Sequence, residues 1–123
     1  MPILRVGVDL IEVARVQDAI DTFGERFYQR CFTESELAYC RGRAELCAAR
    51  FAAKEASAKM LGTGIGDLRW KDIEVVREAS GRPVLRLHGS AYLLACELGL
   101  TTWEVSLTHS QGNAMAFVVA TSF

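Results

Sequence analysis

The chain has little net charge, few histidines, no paired cysteine motif and no long apolar run. Its 123 residues carry 14 Lys and Arg against 15 Asp and Glu, a formal charge of −1. No global basic field therefore exists to hold nucleic acid or an anionic membrane. The four cysteines, Cys31, Cys40, Cys47 and Cys96, form no C-x-x-C pair. No secretory leader is read ahead of them, so reduced, mostly buried thiols in a cytoplasmic protein are expected. Cys40 and Cys47, seven apart, can share a helix face, and core packing is the role expected of them. No apolar run approaches the ~20 residues that span a bilayer. With two histidines and no zinc spacing, neither a structural zinc site nor a Ser-His-Asp arrangement is supported. Repeats, linkers and low-complexity segments are also missing.

What remains is one domain, residues 1–123, long enough to bury a core without disulfides. Half of the residues are hydrophobic and 24% are charged, as in an ordinary globular protein. The charge is unevenly laid out. Residues 1–25 sum to −3 and residues 26–59 to +3. A locally basic middle suits a phosphorylated small molecule or an acidic protein better than a polymer.

Ile3 to Val8 alternates as a short first strand ending at Asp9. From Leu10 the period becomes helical through Ile11, Val13, Val16, Ala19, Ile20 and Phe23, with Gly24 as a stop. Phe27 to Phe32 reads as a short helical turn. Thr33 with Glu36 has the form of a capping box opening a helix to about Arg41. Gly42 interrupts, and Ala44 to Leu61 is a long helix capped by Gly62. Ile73–Arg77 and Val84–Leu87 flank a turn-rich connector and suggest a hairpin. Ser90 is expected to cap a helix from Ala91 to about Leu98, closed by Gly99. Trp103–Thr108 and Ala114–Thr121 form a second hairpin through residues 110–113. The order β-α-α-α-β-β-α-β-β predicts an α+β fold with a mostly antiparallel sheet packed on a long central helix.

The most informative segment is Arg50 to Gly66, an Ala-dense helix that ends in a glycine-rich loop. Glu55 and Lys59 lie four apart, hence on one face. They have the form of an exposed i,i+4 pair, worth about 0.2–0.5 kcal/mol, but the surrounding alanines argue against a solvated face. Asp9 can simply charge the start of the first helix. Paired with Glu55, it instead supplies the two carboxylates that a Mg²⁺ site needs, because Mg²⁺ keeps waters and takes further ligands from substrate phosphates. Lys59 would then stabilise charge on a phosphate or leaving oxygen. Gly62-Thr63-Gly64-Ile65-Gly66 lacks the Lys-Ser/Thr tail of a P-loop, and helix capping suffices to explain Gly62. His109 follows a strand at a turn. It reads as a polar turn residue or as a phosphate donor alongside the Thr108 hydroxyl. His88 reads as structural.

Three stretches together resemble the holo-acyl-carrier-protein synthases of the 4′-phosphopantetheinyl transferase superfamily. They are Gly7-Val8-Asp9-Leu10-Ile11-Glu12-Val13-Ala14-Arg15, Arg50-Phe51-Ala52-Ala53-Lys54-Glu55-Ala56 with Lys59 and Gly62-Thr63-Gly64, and Val105-Ser106-Leu107-Thr108-His109. The resemblance implies that family's fold and a transfer of 4′-phosphopantetheine from coenzyme A to a serine of apo-acyl carrier protein, releasing adenosine 3′,5′-bisphosphate. It implies catalytic roles for Asp9, Glu55 and Lys59, with Asp9 and Glu55 on Mg²⁺. Arg50, Lys54, Lys59, Thr108 and His109 would hold coenzyme A phosphates, with Gly62, Thr63 and Gly64 along the ligand. A homotrimer with active sites between subunits is implied as well. Family members commonly present a basic first helix to the acidic carrier. Here Arg15 matches, but Asp18, Asp21 and Glu25 do not, and Arg26 and Arg30 are placed to supply the missing charge. A Mg²⁺-dependent hydrolase of nucleotides or coenzyme A, and a non-catalytic module binding carrier proteins, are the alternatives.

Overall fold

The computed structural model describes residues 2–123. The chain runs β1 (Leu4–Glu12), α1 (Val13–Phe23), α2 (Glu25–Cys31), α3 (Glu34–Cys40), α4 (Ala44–Leu61), β2 (Ile73–Arg77), β3 (Pro83–Leu87), α5 (Gly89–Glu97), β4 (Thr102–Ser110) and β5 (Asn113–Thr121). Two single-turn 3₁₀ segments, Ile65–Asp67 and Trp70–Asp72, occupy the stretch between α4 and β2. The α+β class and the element order are those expected. The sheet is split: β1-β5-β4 is antiparallel throughout, and β2-β3 is a separate hairpin.

Helix α4 lies on the inner face of β1 and β5, and small residues make that approach possible. Ala48, Ala49, Ala52, Ala53, Ala56 and Ala58 are buried along the helix, and Ala114, Ala116 and Ala120 are buried on β5. At Gly7 on β1 the two backbones meet, since a Cβ there would overlap the Ala56 carbonyl and lie 2.9 Å from the Met60 nitrogen. Alanine lowers the cost of helix formation while leaving no bulk to hold the sheet away. The helix is consequently buried nearly all round rather than along one stripe,.

Several local expectations hold. Thr33 and Glu36 form the reciprocal capping box, with the Thr33 N–H donating to Glu36 Oε1 at 3.0 Å and the Glu36 N–H to Thr33 Oγ1 at 3.3 Å,. Gly62, at φ +81°, takes the left-handed conformation that ends α4,. Two boundaries differ. The first strand does not stop at Asp9 but continues to Glu12, paired with β5 from Leu4↔Thr121 to Glu12↔Asn113. A nine-residue partner strand extended β1 beyond the point where its own period changed. Ser90 does not cap α5. His88 occupies that position, and the Ser90 hydroxyl donates to Asp72 Oδ2 at 3.1 Å.

Candidate active site

Strand alternation points Gly7, Asp9 and Ile11 toward α4 and leaves Val6, Val8 and Leu10 on the opposite face,. Because Gly7 lets the helix touch the strand, Asp9 reaches the face carrying Glu55 and Lys59. The Lys59 ammonium donates to Asp9 Oδ1 at 3.2 Å and to the Val8 carbonyl at 3.0 Å. Asp9 is the more buried of the pair and Lys59 the more exposed. Burial raises the Glu55 pKa above its ordinary value, Asp9 adds to the rise, and Lys59 opposes it,. A carboxylate made costlier to ionise by burial and by a second one nearby, and steadied by one ammonium, forms a site that a divalent cation would relieve,. The donor set fits Mg²⁺, a hard ion satisfied by one or two carboxylates plus waters and substrate phosphates.

A second group lies apart from the first. Arg50 and His109, 59 residues apart in sequence, line one cavity of about 210 Å³ together with Tyr39, Arg77 and Pro83. The Arg50 and Arg77 guanidinium carbons lie 4.3 Å and 4.6 Å from the centroid of the Tyr39 ring, an arrangement in which the ring faces stabilise both cations. Arg50 is 3% exposed, and its Nε has no hydrogen-bond partner among the described residues. A buried, unpaired guanidinium nitrogen costs free energy until an acceptor arrives. Two guanidinium groups and a histidine on one cavity suit it to an anion. Tyr39 and Arg77 belong to it, and sequence reasoning missed both. Neither sits in a motif, and only the placement of α3 and β2 against α4 brings them to Arg50.

Several of the expected ligands are placed otherwise. Lys54 is wholly inaccessible. Its ammonium donates to Glu36 Oε1 at 2.8 Å, to the Trp70 carbonyl at 3.1 Å and to the Ile73 carbonyl. All three N–H bonds are spent inside the core, so Lys54 is not placed to hold a coenzyme A phosphate. Thr108 and His109 are neighbours on β4, so their side chains alternate across the sheet,. The N–H groups of Gly62 and Thr63 donate to carbonyls in the last turn of α4, leaving neither to cradle a phosphate. Thr63 Oγ1 donates to Asp67 Oδ2 at 2.8 Å, and Gly64 is exposed at the start of the following turn. Arg15 on α1 and Arg26 on α2 are both exposed.

A carboxylate–lysine cluster of this kind suits phosphoryl-transfer chemistry, and comparison with known proteins gives the family. The 4′-phosphopantetheinyl transferase superfamily profile matches residues 5–119, and the chain belongs to that family. It is similar to the holo-[acyl-carrier-protein] synthase of Herpetosiphon aurantiacus, 48% identical over 94% of this chain and 97% of the relative. It is likewise similar to that of Halothermothrix orenii, 44% identical over 93% and 94%. Among solved structures, the Helicobacter pylori holo-[acyl-carrier-protein] synthase in complex with coenzyme A superimposes with a TM-score of 0.85 at 28% identity, covering 94% of this chain and 98% of that one. The Bacillus anthracis synthase in complex with coenzyme A (3′,5′-ADP) matches with a TM-score of 0.80 at 32% identity over the whole of both chains.

Proposed function

We propose that this protein transfers the 4′-phosphopantetheine group from coenzyme A to a serine hydroxyl of an apo-acyl carrier protein. The observation that carries the reading is the meeting of Asp9, Glu55 and Lys59 at the Gly7 crossing, in a chain of this family whose relatives bear that activity in their names. Asp9 and Glu55 would hold Mg²⁺, which when bound polarises the diphosphate and neutralises its developing charge. Lys59, whose side chain is exposed, would neutralise charge on that diphosphate. The serine oxygen attacks the phosphorus that carries pantetheine. The bond to the bridging oxygen breaks, and adenosine 3′,5′-bisphosphate leaves with the electron pair. Glu55, directly or through a water, would take the serine proton.

Arg50 and His109 would bind another phosphate of the same coenzyme A. In one chain they line a cavity apart from the Asp9 cluster, with no hydrogen bond or ion pair joining the two among the described residues. A homotrimer with sites between subunits reconciles the two half-sites. The outer face of the larger sheet supports such an assembly: Leu4, Val6, Val8 and Leu10 of β1 and Met115 and Phe117 of β5 are exposed and adjacent in register. Contiguous apolar surface of that kind marks an interface. The carrier would dock by Arg15 and Arg26. The test is to incubate the protein with Mg²⁺, coenzyme A and several apo-carrier proteins and weigh the carriers. A mass gain of one phosphopantetheine is expected; unmodified carriers throughout, or coenzyme A cleaved without one, would overturn the reading.

A further inference from the structure

Two cations share one aromatic ring beside the Arg50–His109 cavity. The guanidinium carbons of Arg50 on α4 and Arg77 on β2 sit 4.3 Å and 4.6 Å from the Tyr39 centroid. Among the described residues, neither arginine takes part in an ion pair. The arginine side chains that hydrogen-bond there are Arg5, Arg41 and Arg82. Glu78, next in sequence to Arg77, meets Arg82 at 3.0 Å instead. The two positive charges are therefore held by ring contact and packing, without a polar partner to aim them. Room to move surrounds them as well. Tyr39, Arg50 and Arg77 also border a second hollow of about 190 Å³ toward Ser35 and Val75. A guanidinium released from the ring would have space to turn that way, away from His109.

The ring itself is carried on a fixed support. Tyr39 lies on α3 three residues after Glu36, hence on the same side of the helix,. Glu36 is tied to the Lys54 ammonium at 2.8 Å and to the Val75 N–H at 2.9 Å. At the other end of α3, the Cys47 thiol donates to the Cys40 carbonyl at 3.1 Å. Cys47 stands three residues before Arg50 on α4, so this bond joins the residue after Tyr39 to the turn that bears Arg50. On the hairpin side, a Cβ at Gly81 would come within 2.8 Å of an Arg77 guanidinium nitrogen. The bare glycine leaves that group its place. Groups ordered before a ligand arrives lose less freedom when it binds.

We propose that Tyr39 is a positioning residue: its ring orders Arg50 and Arg77 together before coenzyme A arrives, and so acts on binding rather than on the transfer step. The inference rests on the proposed reading in which this cavity takes a phosphate of coenzyme A. A cation lying on an aromatic face keeps its N–H donors free, whereas one in an ion pair spends them. The ring thus steadies both guanidinium groups and leaves their hydrogen bonds for the phosphate. A carboxylate in its place would satisfy the arginines and compete with the ligand.

The experiment measures kcat, KM for coenzyme A and KM for apo-carrier protein in wild type, Y39F and Y39L, and titrates each with adenosine 3′,5′-bisphosphate. Y39L is expected to raise the coenzyme A KM and the bisphosphate Kd about tenfold. Its kcat and carrier KM should stay within about twofold of wild type, as for a loss of uniform binding. Y39F keeps the ring and should match wild type. In an R77Q background the Tyr39→Leu effect should shrink, because the two residues act together. Unchanged coenzyme A KM and bisphosphate Kd in Y39L, beside normal transfer by wild type, overturn this inference alone. So do a Y39F as impaired as Y39L, an equal loss in kcat or carrier KM, and full additivity with R77Q. A wild type that modifies no carrier, yet binds the bisphosphate more tightly than Y39L does, overturns the transfer reading and leaves the role of the ring in place. A wild type that binds neither the bisphosphate nor coenzyme A overturns both. Y39M, which also lacks a ring, keeps the test decisive should Y39L fail to fold.

Discussion

Lys54 and Glu36 form an ion pair at 2.8 Å with neither side chain accessible to water. The carboxylate also accepts from the Val75 N–H at 2.9 Å and the Thr33 N–H at 3.0 Å. Three acceptors around Nζ require three N–H donors, which is the ammonium form. Burial pushes the Lys54 pKa down, and Glu36 opposes the shift. One pair thus joins α3, α4, β2 and the Trp70 turn. Its structural role explains why a lysine in the middle of a functional motif is withdrawn from the ligand.

Replacing Lys54 by Met is expected to destabilise the protein by about 3–5 kcal/mol, because Glu36 is left as an uncompensated buried charge. Adding Glu36→Leu should recover only part of that loss, since the Thr33 and Val75 N–H groups lose their acceptor. Urea titration of the two variants checks the expectation. Equal stability of wild type and Lys54→Met would show that the pair is not closed to water.

Gly7→Ala places a methyl group against the Ala56 carbonyl. The helix must lift from the strand, so a loss of roughly 3 kcal/mol is expected from overpacking. Activity should fall further than stability requires, because the same contact brings Asp9 to Lys59. Measuring kcat at a temperature where the variant is still fully folded separates the two effects.

Glu55→Gln tests the charged cluster in both directions. In the unfolded chain Glu55 titrates at the ordinary carboxyl value, and in the folded chain it titrates higher. As pH rises from the ordinary value through the raised one, the folded state binds more protons than the unfolded state, so the stability of metal-free wild type falls. The variant carries no such penalty. Its Tm without metal should therefore exceed that of wild type at neutral pH and converge with it below about pH 4. Mg²⁺ should raise the wild-type Tm more than the variant's, while the variant loses transfer activity.

Phe117→Lys with Val8→Lys places two cations on adjacent outward-facing residues of the larger sheet. If the protein forms the proposed homotrimer and that face is covered in it, sedimentation should shift from trimer to monomer, with activity lost in proportion. An unchanged trimer would place the interface elsewhere.

Thiol chemistry reports on the core without altering it. Cys31, Cys40 and Cys47 are buried and Cys96 is exposed. The Cys47 thiol lies 3.3 Å from Cys40 Sγ. Burial raises the Cys31 thiol to about 11, further suppressing its reaction. A disulfide reagent should label one thiol per folded chain quickly and four after denaturation. Rapid labelling of a second thiol would mean that the α3–α4 junction opens readily.

Much of the local structure was legible because its causes are local. The Thr33–Glu36 capping box, the Gly62 stop and the long Ala-rich helix depend on residues within a few positions of one another, and each formed where its pattern stood. The end of β1 was illegible because pairing with β5, more than a hundred residues later, decided it. At the site, the residue types of Asp9, Glu55 and Lys59 and the four-residue spacing on α4 marked in advance the charged groups that the fold brings together. Their meeting depended on Gly7, whose missing side chain brings the strand onto the helix. Lys54 and Arg50 show the limit most clearly. Both are cations in one motif, yet the fold buries Lys54 against Glu36 and sets Arg50, its Nε unpaired among the described residues, beside a cavity that Tyr39, Arg77 and His109 also line. Sequence determined which charges the protein carries and which helix bears them. Tertiary structure decided which charges are already satisfied and which still need a partner, because burial and hydrogen-bond geometry arise only where distant segments pack.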